Sequence, residues 1–129
     1  MGNRTSTARD EAAAAQSIGH FDHNYDAILI DQSAGMVEAC TDRKPVPAAV
    51  QRVLGDGRYV ELVMKFDTVQ LVENQKTLLT IPYSGVKTLE WDHSCSSVKI
   101  TANTAGEESF VVVKVGNSLE LENEAKLRI

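Results

Sequence analysis

Four side chains able to ligate a metal or move a proton, His20, Asp22, His23 and Asp26, fall within one span of seven residues. Imidazoles and carboxylates at that density can hold zinc or another divalent ion. A metal site also needs outer-shell partners that fix its ligands, and these four stand where a polar N-terminal segment runs into the first strand. Exposed polar residues ahead of a strand are the plainer reading, and the expectation is no bound metal. Asp92, His93 and Cys95 contain an orienter, a base and a thiol nucleophile. Neighbouring positions do not by themselves set triad geometry, and residues 92–97 have the composition of a polar loop between strands. Gly55-Asp56-Gly57 lacks the spacing and the strand-to-helix setting of a phosphate-cradling loop and reads as a turn. The sequence thus points to no catalytic group and no cofactor.

Two other groups of residues suggest binding. Met1-Gly2-Asn3-Arg4-Thr5-Ser6 fits the N-myristoylation pattern, with Gly2 as acceptor and Ser at position 6. In a eukaryotic source an acyl chain at Gly2 would give weak membrane association, since one myristoyl chain anchors only marginally and the segment has neither a nearby Cys nor a polybasic run. The plainer reading is an unmodified start. Charge is unevenly spread: residues 10–42 hold seven acidic side chains and no Lys or Arg, whereas residues 43–65 hold five basic and two acidic ones. Arg43, Lys44, Arg52 and Arg58 in the second stretch are the candidate anion-binding set, with a solvated face as the alternative.

The elements that must position these residues follow from composition and period. The chain has 129 residues, 43% hydrophobic and 24% charged, which suits one globular domain. A net charge of -5 and a pI near 5.1 offer no broad positive field, so nucleic acid is not an expected partner. Two cysteines are too few for a disulfide scaffold. No apolar run is long enough to span a bilayer, and the first residues lack signal-peptide character. The expected location is the cytoplasm, or the membrane periphery where Gly2 is acylated. Residues 1–20 read as a flexible tail and residues 21–129 as the domain.

Within the domain, residues 25–32 read as a first strand. Pro47 and Gly55 bracket a short helix over residues 47–54, with Val46, Ala49, Val50, Val53 and Leu54 on one stripe. Val60, Leu62, Met64 and Phe66 then alternate with other residues at the two-residue period of a half-buried strand, and the apolar phase flips near Asp67 and Thr68, which calls for a tight turn or bulge. Further short runs at 77–81, 86–91, 98–102 and 110–115, separated by polar turns, bring the total to about seven strands. Apolar phase assigns Leu62, Met64, Phe66, Leu89, Trp91, Ile100 and Val112 to one core. Residues 118–129 fit either a strand or a helix. Early glutamates, late Lys126 and Arg128, and the i,i+4 pairs Glu122–Lys126 and Glu124–Arg128 favour the helix, with Ser118 as its N-cap.

Strand, helix, a meander of short antiparallel strands and a closing helix is the element order of the pleckstrin-homology superfold, and it resembles the phosphotyrosine-binding adaptor domains in particular. Residues 60–71 (VELVMKFDTVQL) are similar to that family's alternating strand, turn and second strand. Residues 81–92 (IPYSGVKTLEWD) are similar to its strand leading to the ligand-facing edge. The resemblance implies an α+β, mainly β fold: a partly open antiparallel barrel of about seven strands, a short helix at 47–54 and a C-terminal helix. It also implies a non-catalytic interaction module that receives an extended peptide of a protein partner along Val86, Lys87, Thr88, Leu89, Glu90 and Trp91. A small enzyme or small-ligand-binding β-protein with a site dispersed in sequence is the alternative.

Overall fold

A computed structural model of the protein describes residues 21–37, 44–104 and 106–129. The expected tail at 1–20, with Gly2 and His20, and the candidate cation Arg43 lie outside the described residues. Seven strands and two helices follow one another: β1 (His23–Gln32), α1 (Ala48–Leu54), β2 (Arg58–Met64), β3 (Thr68–Glu73), β4 (Lys76–Pro82), a 3-10 turn (Tyr83–Gly85), β5 (Val86–Asp92), β6 (Ser97–Thr104), β7 (Glu107–Val115) and α2 (Ser118–Arg128). All strand pairings are antiparallel and the sheet order is β4-β3-β2-β1-β7-β6-β5. The architecture is therefore α+β and mainly β, as the sequence pattern anticipates. No helix among the described residues is long and apolar enough to cross a membrane.

Alternation builds the core. Val60, Leu62 and Met64 of β2, Val69 and Leu71 of β3, Val98 and Ile100 of β6, and Val111, Val113 and Val115 of β7 bury their side chains in a single cluster with Leu121 and Ala125 of α2. Strands from both halves of the order share that cluster, so the sheet curls until β2 and β3 face β5 and β6. Register shifts in β1 between Leu29 and Asp31, in β3 between Leu71 and Val72, and in β5 between Val86 and Thr88 supply local bending of the kind bulges introduce. The two edge strands, β4 and β5, do not pair with each other, and the barrel stays partly open.

Local chemistry explains the corners. The two-residue loop between β3 and β4 has both Asn74 (φ 52°) and Gln75 (φ 68°) in the left-handed region, the form whose twist matches a hairpin. Gly57 (φ 149°) leads into β2 where a Cβ would meet Ile28 Cγ2 at 2.5 Å, so only glycine fits there. Helix α1 lies on the opposite face of β1 from the core: Val50 and Leu54 bury against Ile28, with Val46 and Tyr59 beside them. Val53, expected on the same stripe, is 68% exposed.

Two core assignments are corrected. The backbone N–H of Lys65 bonds the carbonyl of Thr68 at 2.8 Å, so β2 ends at Met64 and Phe66 rides on the turn, 64% exposed. Val112 lies on the outer face of β7, because its neighbours Val111 and Val113 are the fully buried pair. Leu62, Met64 and Ile100 are buried as expected, and Leu89 and Trp91 pack against the cluster while partly exposed.

Candidate functional site

Strand β5 ends the sheet order, so among the described residues one of its edges has no strand beside it. Its bulge sets which side chains turn inward: Val86 precedes the shift, Leu89 and Trp91 follow it, and all three line one cleft, whereas Lys87, Thr88 and Glu90 are exposed. Opposite them stand Leu121 and Ala125 of α2 with Ile129 just beyond it, over a floor that includes Met64 and Ile100. The cleft is narrow and largely filled by its own side chains, and every lining residue is apolar. Such a lining carries no acid, base or nucleophile. It offers an apolar contact surface at its mouth and supplies none of the convergent polar groups that orient a small polar substrate.

Helix α2 is fastened to the sheet on two sides. At the far end of β5, His93 reaches Ser118 Oγ through Nδ1 (2.8 Å) and Glu122 Oε1 through Nε2 (2.8 Å), and its ring stacks on Trp91 with centroids 5.8 Å apart. On the other side Glu124 accepts from the Tyr25 hydroxyl (2.5 Å), meets His23 Nδ1 (2.5 Å) and accepts from Arg128 Nε (2.7 Å). Arg128 also donates to the carbonyls of Lys65 (2.8 Å) and Phe21 (2.6 Å), and the Tyr83 hydroxyl donates to the same Lys65 carbonyl. Burial, reinforced by the hydrogen bond to Glu124 and the negative charge there, holds the Tyr25 phenol far above its ordinary range. The helix starts from Asn117, whose side chain accepts from the N–H of Glu120 and donates to its carboxylate. Ser118, expected as the N-cap, is instead the first helical residue.

Ser118, His93 and Glu122 contain the atoms of a hydrolytic triad, and their arrangement argues against one. The serine bonds Nδ1 and the carboxylate Nε2, the reverse of the usual order, and Ser118 is buried and does not line the cleft. The three act as a fastening. Cys95 and Asp92 do not complete a triad with His93 either. Asp92 accepts from the hydroxyl and the backbone N–H of Ser94, chiefly the hydroxyl holding its carboxyl below the ordinary range, while Cys95 Sγ approaches Ser97 Oγ at 3.2 Å.

The remaining sequence candidates are dispersed. Asp22 pairs with Lys65 (3.1 Å), His23 turns to Glu124, and Asp26 accepts from the Tyr59 hydroxyl (2.6 Å). Among the described residues no three His, Cys, Asp or Glu side chains gather as a metal-ligand set. Lys44 is exposed ahead of α1 and Arg52 is exposed on it. Arg58 makes a two-pronged, largely buried bridge to Glu73 (2.8 and 3.2 Å) at the start of β2. Met64, which lines the cleft, ends that strand, so roughly 20 Å of extended chain separates the two. The His93 and Glu124 fastenings were missed by sequence reasoning; the only signal for them was the i,i+4 spacing of Glu124 and Arg128. No family model and no curated protein matches the chain.

Proposed function

We propose that the protein is a non-catalytic, intracellular interaction module of the pleckstrin-homology type, closest in plan to the phosphotyrosine-binding adaptors, and that it takes an extended peptide of a protein partner beside β5. One observation carries the reading: the free edge of β5 borders an apolar cleft whose second wall is α2. Strand addition at such an edge derives affinity from main-chain hydrogen bonds and selectivity from pockets that take alternate side chains. The strand order with β1 central, the short helix between β1 and β2 and the C-terminal helix support the same plan. Acylation of Gly2, which lies outside the described residues, would give the module weak membrane association.

Lys87 and Glu90 compete with this reading, because charge on an edge strand can serve to repel a neighbour. Lys87, however, is turned across β6 to Glu108 at 2.7 Å, which leaves the approach to β5 less guarded than its sequence suggests. The test is selection of a displayed random-peptide library against the full chain, followed by amide shift mapping with the selected peptide. Shifts concentrated on residues 86–91 and on α2, with new exchange protection on β5 amides, are expected. Selection of no peptide, or shifts centred on α1 or β4, would overturn the assignment.

A further inference from the structure

Beyond its bulge, β5 runs in unbroken register with β6 from Thr88 to Asp92, so its side chains alternate between two faces. Leu89 and Trp91 turn to the apolar cleft, while Thr88, Glu90 and Asp92 stand exposed on the outer face. Two carboxylates therefore lie two positions apart in one row beside the free edge. Glu90 makes no hydrogen bond or ion pair among the described residues. Lys99, directly across from it on β6, is placed instead over the ring of Phe110, 4.7 Å from the centroid. Asp92 accepts from Ser94, whose hydroxyl chiefly holds the carboxyl below its ordinary range and so keeps it charged.

A peptide strand added at this edge continues the same alternation. Its residues opposite Leu89 and Trp91 meet the apolar mouth of the cleft, and those between them meet Glu90 and Asp92, where an opposite charge contributes and a like charge opposes pairing. The cations that could answer a phosphate here are engaged or elsewhere. Lys87 is turned to Glu108, Lys99 lies over Phe110, and on the α2 wall Lys126 is offset by Glu122 at 3.9 Å. Arg58 is buried against Glu73, and Arg52 belongs to α1, which packs on the far face of β1. We infer that the partner of this edge is a cationic, unphosphorylated segment in which apolar residues alternate with Lys or Arg. The inference rests on the reading of β5 as a docking edge and names what that edge selects. The chain's net charge of -5 favours approach of such a segment. The carboxylates that repel a second copy of β5 or an acidic strand are the ones that admit a basic strand.

The test titrates the full chain with short fluorescein-labelled synthetic peptides in which valine alternates with lysine, glutamine or glutamate, and with a glutamine peptide that carries one phosphotyrosine. At low salt the lysine peptide should bind about tenfold more tightly than the glutamate and phosphotyrosine peptides, with the difference shrinking at high salt and with amide shifts on residues 86–92. The double variant Glu90→Gln with Asp92→Asn changes charge without changing size and keeps an acceptor for Ser94. It should bind the lysine and glutamine peptides equally, and the glutamine peptide as tightly as the parent does. Peptides that shift residues 86–92 with no order by charge, or an order that survives in the double variant, would overturn the cationic assignment and leave the docking edge standing. Tightest binding by the phosphotyrosine peptide would do the same. No binding by any peptide, or shifts centred away from β5, would overturn the edge and the inference together.

Discussion

Glu124 and Glu122 are two positions apart on one helix, and their surroundings make them differ in consequence. Glu124 is 6% exposed and serves Tyr25, His23 and Arg128 together, and the Arg128 side chain is 2% exposed. Removing the carboxylate leaves a guanidinium away from water with two carbonyls and no counter-charge, a change that typically costs about 3–5 kcal/mol. Glu122 is 23% exposed, with partners His93 and Lys126 at 33 and 70%, so solvent already screens it. Its truncation should cost under about 1 kcal/mol. Urea unfolding of Glu124→Ala and Glu122→Ala side by side checks this, and equal midpoints would show that the buried hub contributes no more than a surface pair. Arg128→Lys should resemble Glu124→Ala more than the parent, because an ammonium cannot reach Glu124 and two separate carbonyls with the fixed fork of a guanidinium.

At the scale of elements, what was legible in the sequence is what local period and punctuation encode. The alternation from Val60 to Met64 identifies β2, Pro47 and Gly55 bracket α1, and the i,i+4 charge order selects the helix for α2. Phase is lost where a run is apolar on both faces. Residues 110–113 (FVVV) do not reveal that Val111 and Val113, and not Val112, point inward. Phe66 fits the β2 phase and yet falls on the turn, since a turn can begin at any residue of an alternating run. The fastenings of α2 are less legible still. His93 and Ser118, or Tyr25 and Glu124, meet across 25 and 99 positions, and only the curled sheet with α2 packed on it brings them together. The β3–β4 hairpin offers a direct test of local encoding. Its loop demands positive φ at two residues, and glutamine meets that demand at Gln75 with a steric penalty of roughly 1 kcal/mol. Gln75→Gly should therefore raise the stability of the chain by about 0.5–1 kcal/mol with the fold unchanged. A lower urea midpoint for the variant would mean that the Gln75 side chain contributes more than its backbone strain removes.

Across the whole molecule, the three tyrosines of the chain link the barrel to pH in one direction. Tyr25, Tyr59 and Tyr83 belong to β1, β2 and the turn before β5, and in each the phenol is raised above its ordinary value near 10, with burial as the largest cause. Hydrogen bonds to Glu124 and Asp26 add to the shift at Tyr25 and Tyr59, while the Arg128 charge opposes it at Tyr83. An unfolded chain gives up its phenolic protons near pH 10 and the folded chain retains them, so the folded state binds more protons as pH rises past that value. Stability contributed by the neutral phenols is thus complete below about pH 10 and is lost above it, with a slope of up to about 1.4 kcal/mol per pH unit for each tyrosine. Phenolate absorbance should therefore rise in one cooperative step that coincides with loss of the circular dichroism of the sheet. Tyr59→Phe, at the least buried of the three, should move that step to higher pH by removing one ionisation available only to the unfolded chain. A gradual rise in phenolate absorbance centred on pH 10, with the sheet signal intact, would show that the phenols reach solvent without unfolding and that the barrel opens locally around them.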